Sequence, residues 1–139
     1  MRAFFLDTNI LLDFLADRKP FSDDAEILFE NARQQKVELY VSAISFNNLY
    51  YIINKLSGHK KALKLLGSLS EMVNIIPLDD SIIRTALKSS FKDFEDAIQY
   101  HSAMLLPNIE AIITRNSKDF KNSEMAVISP EIASKLLQE

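Results

Sequence analysis

The sequence predicts an α/β sandwich on a mostly parallel sheet of about five strands, and three observations carry that prediction. Short apolar runs, most of them rich in β-branched residues, alternate with stretches of helical periodicity along the whole chain. Only 2 glycines and 4 prolines are present, so the elements must follow one another without long linkers. A chain of 139 residues would leave about 7,300 Å² exposed of about 23,000 Å² available, enough burial for one core and too little for two. One domain over residues 1–139 is expected, with no internal repeat.

Taken in order, Arg2–Leu6 is too brief for a helix and reads as a buried strand. Asp7 or Thr8 after it suits the cap of a following helix. Ser22 can cap a helix through about Gln35, in which Ala25, Leu28, Phe29 and Ala32 form one apolar stripe. Val37–Val41 is the second strand. From Ser45 to about Leu56 the helical pattern returns with Phe46, Leu49, Tyr50 and Ile53, and Gly58 suits its stop. A helix over roughly Lys60–Leu69 follows with no strand between, which predicts a helical hairpin protruding from one end. Val73–Ile76 is a strand, and Asp80–Lys88 and Asp93–Leu106 are helices, the second ended by Pro107. Ala111–Thr114 and Ala126–Ile128 are strands, and a last helix starts around Pro130.

Composition narrows the class. Hydrophobic residues at 47% and charged residues at 25% match globular domains and exclude a disordered chain. No apolar run approaches a bilayer span, and Asp7 interrupts the first one too early for a signal-peptide core. With no cysteine there is no disulfide, thiolate metal site or cysteine nucleophile, and a cytoplasmic protein without a membrane partner is expected. The net charge of −3 argues against binding nucleic acid by bulk electrostatics. Its distribution is uneven, however: between Leu39 and Ser70 there is no acid, while Lys55, Lys60, Lys61 and Lys64 are present. Such a stretch suits phosphate, and it is equally what a solvated lysine face on two helices looks like.

In open α/β sheets ligands bind beyond the carboxyl ends of the strands, so the polar residues there are the candidates. Asp7-Thr8-Asn9 follows the first strand, and Thr114-Arg115-Asn116-Ser117-Lys118-Asp119 follows the fourth. Asp93-Phe94-Glu95-Asp96 opens a helix, with its two aspartates on one face. Each has a structural explanation: Asp7 or Thr8 as a cap, Asp93 as an N-cap with Asp96 favoured by the helix dipole, Asp119 in a turn or paired with Lys118 or Lys121. Together they form a set that capping does not predict. Clustered carboxylates repel, and a hard divalent cation such as Mg²⁺ or Mn²⁺ is the usual remedy.

Four segments then make the sequence resemble the PIN domain family of metal-dependent ribonucleases, which includes the toxins of bacterial toxin–antitoxin pairs. They are Phe5-Leu6-Asp7-Thr8-Asn9-Ile10-Leu11-Leu12-Asp13, Val41-Ser42-Ala43-Ile44-Ser45-Phe46-Asn47-Asn48, Asp93-Phe94-Glu95-Asp96-Ala97-Ile98-Gln99-Tyr100 and Ile113-Thr114-Arg115-Asn116-Ser117-Lys118-Asp119-Phe120. Their order and spacing match over nearly the full chain. The resemblance implies a three-layer α/β/α fold and an acidic quartet holding one or two divalent ions. Asp7 matches the first acid and Asp96 the third. Asn48 stands where the second, a glutamate, is usual, and Asn116 where the fourth is usual, with Asp119 three residues on. An amide keeps an oxygen ligand but removes a charge, which should lower metal affinity.

The resemblance implies that Asp7, Asp96 and Asp119 hold Mg²⁺ or Mn²⁺ and carry catalysis, with Asn48, Asn116 and Asp93 in support and Thr8 and Asn9 orienting Asp7. Lys55, Lys60, Lys61 and Lys64 would grip the RNA backbone. Tyr50 and Tyr51 could stack on bases, although Tyr50 lies on the apolar stripe. His59 and His101 have no evident catalytic partner. An antitoxin protein and a homodimer are the partners the family implies. Two alternatives stand beside the endoribonuclease: a catalytically weak or inactive module that binds RNA or a protein, supported by Asn48 and Asn116, and an aspartyl-nucleophile phosphohydrolase. Asn9 disfavours the last, because it occupies the position of the general acid that such chemistry commonly uses.

Overall fold

In the computed structural model, which describes residues 1–138, the apolar runs found in the sequence become five strands. The chain runs β1 (Arg2–Leu6), α1 (Thr8–Leu15), α2 (Phe21–Arg33), β2 (Val37–Ser42), α3 (Ala43–Ser57), α4 (His59–Ser70), β3 (Asn74–Ile76), α5 (Asp80–Leu87), α6 (Phe94–Met104), β4 (Ala111–Ile113), a 3₁₀ turn (Ser117–Phe120), β5 (Ala126–Ile128) and α7 (Pro130–Leu137). The sheet order is β3-β2-β1-β4-β5, and every pairing is parallel. Glu139, the last residue of the expected domain, lies outside the described residues.

A parallel sheet must bury both faces, and the strand residues divide accordingly. Phe4 and Leu6 of β1 and Ala111 and Ile113 of β4 enter one core, with residues of α1, α2, α3, α4 and α7. Phe5 and Ile112, pointing the other way, enter a second core with Tyr100 and Ala103 of α6 and Phe120 of the 3₁₀ turn. Ile82 and Ala86 of α5 pack against Ala97 and Ile98 of α6. This is the three-layer arrangement, and its exposed area of 7736 Å² is near the expected value. The α3–α4 hairpin forms as expected. Its Leu49, Ile53, Ala62, Leu66 and Leu69 belong to the main core, whereas Tyr51, Leu56 and Leu63 stay exposed.

Several boundaries move, each for a local reason. α2 begins at Phe21, and Ser22 does not cap it: Ser22 is fully buried in the first turn and its hydroxyl donates to Asp17 Oδ1 at 2.8 Å. Pro20, which has no N–H to satisfy, takes the cap position. α3 starts earlier than Ser45, because Ser42 accepts from the Ile44 amide. The helix before Pro107 ends at Met104. Asp79, Asp93 and Ser129 cap α5, α6 and α7 with their side chains.

Topology places the candidate site. Chain order reverses between the adjacent strands β1 and β4, which opens a crevice at their carboxyl ends. Asp7 leaves β1 there, its amide donating to Ile113 O of β4 at 3.0 Å.

Candidate functional site

The centre of the site is the Asp7 carboxylate, only 3% exposed. It occupies the N-cap position of α1 without a close side-chain cap bond, and its shortest hydrogen bonds go to other elements. Its Oδ2 accepts from Thr114 Oγ1 at 2.7 Å, and its Oδ1 accepts from Gln99 Nε2 at 3.0 Å. Burial pushes its pKa above the usual carboxylate range; the Thr114 and Gln99 donors oppose the rise, Glu95 adds to it, and the Asn9 backbone amide opposes it. Both of the side-chain donors are neutral.

These donors are themselves held. The Thr8 amide donates to Gln99 Oε1 at 3.0 Å, which turns the Gln99 amino group toward Asp7. Thr114 Oγ1 accepts from the Asn116 amide at 3.1 Å while donating to Asp7. Thr8 Oγ1 lies 2.6 Å from both Ser45 Oγ and Glu95 Oε2. A hydroxyl has one proton, and an ionised carboxylate only accepts. The order is therefore Ser45 to Thr8 to Glu95.

The acidic side chains at the start of α6 lie close enough to Asp7 for their charges to act on one another. Asp93 caps α6, accepting from the Asp96 amide at 3.0 Å, so its structural role holds. Asp96 is half-buried and its pKa is pushed up to about 7, first by burial and then by the neighbouring charges of Asp93, Asp7, Asp119 and Glu95. Asp119 is exposed in the 3₁₀ turn and forms no ion pair with Lys118 or Lys121. A cavity of about 440 Å³ is lined by Asp93, Asp96 and Asp119 together with Phe91, Lys92, Lys118 and Lys121.

The sequence candidates therefore divide. Asp7, Asp96, Asp119 and Asp93 are brought into one electrostatic neighbourhood. Thr8 and Asn9 do not orient Asp7 through their side chains: Asn9 is exposed and acts through its backbone, and Thr8 acts through Gln99. Asn116 is exposed, and its amide steadies Thr114. Asn48 lines a separate groove with Glu95. Lys55, Lys60, Lys61 and Lys64 are exposed on the hairpin, and none lines the acidic cavity. Sequence reasoning gave no role to Glu95, Gln99, Thr114 or Ser45. Gln99 carried one legible signal, an amide one helical turn beyond Glu95 on a helix whose neighbours are apolar.

The donor set can be tested against a divalent ion. Among the described residues no three Asp, Glu, His or Cys side chains converge enough to enclose one. Mg²⁺, however, typically keeps several waters and binds through one or two carboxylates plus substrate phosphate. Asp7, Asp93, Glu95, Asp96 and Asp119 are all hard oxygen donors, and among the described residues none is in an ion pair. The rise at Asp96 comes first from burial and then from neighbouring carboxylates that no cation compensates. A hydrated hard cation fits this set.

Comparisons with known proteins give the same reading of the fold. The family model described as PIN domain matches residues 3–118. A toxin–antitoxin complex from Klebsiella pneumoniae is 25% identical, with 91% of this chain and 96% of that chain covered at a TM-score of 0.65. DNA-bound VapBC from Salmonella typhimurium is 16% identical, with 94% and 99% covered at 0.71. VapC20 of Mycobacterium tuberculosis, a sarcin-ricin loop cleaving toxin, is 13% identical, with 86% and 94% covered at 0.65. No curated protein sequence matches the chain significantly.

Proposed function

The chain belongs to the PIN domain family, whose members are generally nucleases that use divalent metals, and from that premise we propose that it is a Mg²⁺- or Mn²⁺-dependent endoribonuclease. We further propose that it is the toxin of a toxin–antitoxin pair, a reading supported by the toxin–antitoxin complexes among its structural neighbours. The observation that carries the nuclease reading is a buried Asp7 carboxylate held by neutral side-chain donors, set beside four further carboxylates that form no ion pair among the described residues.

Asp7, Asp96 and Asp119 would hold the ion, with Asp93 and Asn116 around them. When bound, a divalent ion supplies positive charge to a phosphodiester in the transition state and acidifies water at neutral pH. The protein's own part is positional. Gln99 and Thr114 fix both oxygens of Asp7, and Thr8 fixes Gln99, so the carboxylate does not have to reorganise during reaction. Without metal the Asp96 carboxyl is pushed up to about 7, and a cation bound beside it would favour its ionised, ligating form. Lys92, Lys118 and Lys121 line the cavity and would receive phosphates next to the scissile bond. Lys55, Lys60, Lys61 and Lys64 would take the backbone farther along.

Cleavage of structured and single-stranded RNA in Mg²⁺, in Mn²⁺ and in EDTA tests the assignment, with metal calorimetry on wild type and on Asp7→Asn alongside. Metal-dependent cleavage and a binding isotherm lost in Asp7→Asn are expected. RNA binding without cleavage in either metal would favour the second reading, an inactive RNA-binding module. The amides at Asn48 and Asn116, where the family usually has acids, are what support it.

A further inference from the structure

The groove that Asn48 shares with Glu95 has a lining distinct from that of the acidic cavity, and the nuclease function does not account for it. It has a volume of about 660 Å³ and is lined by Asn47, Asn48, Tyr50, Tyr51, Ile52 and Glu95. We propose that this groove is a nucleobase subsite for single-stranded RNA, with Tyr51 as its stacking platform; the inference rests on the ribonuclease reading.

The two tyrosines separate cleanly. Tyr50 is packed against the core, and its hydroxyl lies 2.8 Å from His59 Nδ1, so its ring is committed to the fold. Tyr51 is 61% exposed, and the Lys55 ammonium sits 4.4 Å from its ring centroid. An exposed ring with a cation beside it is the pairing that single-stranded nucleic acid uses: the base stacks and the ammonium takes the phosphate. The Asn47 and Asn48 amides offer both donors and acceptors to a base edge. Glu95 repels phosphate, so the base edge faces it and the backbone runs on the Lys55 side. Ile52 is the only aliphatic residue of the lining, whereas a protein-docking groove would present several apolar anchors. Through Glu95 and Thr8 the groove abuts the Asp7 network, so a nucleotide seated there neighbours the site of cleavage.

The test is anisotropy of a labelled single-stranded RNA in EDTA, where no cleavage occurs, for wild type, Tyr51→Ala and Tyr51→Phe. An abasic oligomer of the same length is the second probe. Roughly tenfold weaker RNA binding is expected for Tyr51→Ala, with Tyr51→Phe within about twofold of wild type and all three proteins equal on the abasic probe. Wild-type RNA affinity in Tyr51→Ala overturns the subsite, as does an equal loss on both probes, which would mark a general electrostatic or folding effect. If wild type cleaves RNA while Tyr51→Ala binds and cleaves as well as it does, the subsite falls and the nuclease reading stands. If wild type binds no RNA in EDTA yet cleaves it in Mn²⁺, the subsite falls and the nuclease reading stands; if it neither binds nor cleaves RNA in any metal, both fall.

Discussion

Two aspartates six positions apart in the first segment, Asp7 and Asp13, are equally buried at 3% and 1% exposure and differ in what neutralises them. Asp13 receives Arg115 Nε at 2.7 Å and Nη2 at 3.2 Å, and Arg18 Nε at 3.0 Å. Arg115 is steadied in turn by the Phe21 ring, 3.8 Å away. Asp7 receives the Thr114 hydroxyl and the Gln99 amide and is in no ion pair among the described residues. Consecutive residues of one loop thus serve the two acids, Thr114 the first and Arg115 the second. A buried carboxylate with its own guanidinium is electrostatically complete and holds the fold together. One held by neutral donors keeps its charge available for a cation from outside. The counter-charge, more than the burial, separates the structural aspartate from the functional candidate.

The sharpest way to break that comparison is Asp7→Asn. RNA cleavage in Mg²⁺ or Mn²⁺ is expected to fall at least about a hundredfold, because one amide replaces a charged ligand. Metal-free stability in urea should change by less than about 1 kcal/mol, since an amide can accept from Gln99 and donate to Thr114. A large loss of stability would make Asp7 a structural residue like Asp13.

The reciprocal substitution is Asp13→Ala. It strands two arginines and should cost about 3 kcal/mol, the low end for a broken buried pair, because the Arg18 and Arg115 side chains are 42% and 27% exposed. Urea unfolding measures it, and a loss under about 1 kcal/mol would remove the contrast.

Metal provides the next measurement. Mn²⁺ at a hundred times its dissociation constant should stabilise wild type by about 2.7 kcal/mol. It should raise Tm in wild type and in a folded Asp13 variant, and leave Asp7→Asn unmoved. A shift of equal size in Asp7→Asn would place the ion elsewhere.

The smallest effect is a pH dependence. Asp96 has a folded pKa near 7, above its unfolded value, so between the two the native state holds more protons than the unfolded one. Metal-free stability from this group is therefore full below about pH 4 and is lost as pH rises through 7. Because Asp96 is only half-buried, the loss is about 1 kcal/mol after screening. Asp96→Asn should flatten the profile in metal-free unfolding followed from pH 4 to 8. A wild-type profile rising over that window would contradict the crowding of carboxylates.

How legible all this was varies with the element. The strands and most helices follow from periodicity, because each buries a face that the residue pattern records. α1 left no readable stripe: Ile10, Leu11 and Leu12 are all buried, so the helix between β1 and the next layer looks apolar nearly all round. The reading of Ser22 as a cap followed a local rule that Pro20 overrides. At the site, Asp7, Asp96 and Asp119 could be picked out as acids beside strand ends and helix starts. Gln99 and Thr114 could not be matched to Asp7, since they lie 92 and 107 residues from it along the chain. The hairpin lysines were conspicuous by composition, yet Lys92, Lys118 and Lys121 are the ones beside the acids.

By itself, then, the sequence determined the elements, their alternation and the residue types that can do chemistry, because hydrophobic period and side-chain functional groups are local properties. Which aspartate meets an arginine, and which is left for a cation, were decided only when the parallel sheet brought β4 and α6 against β1. Those outcomes depend on distances between groups that are remote in the chain, and a charge is completed or left open only by what lies next to it in space.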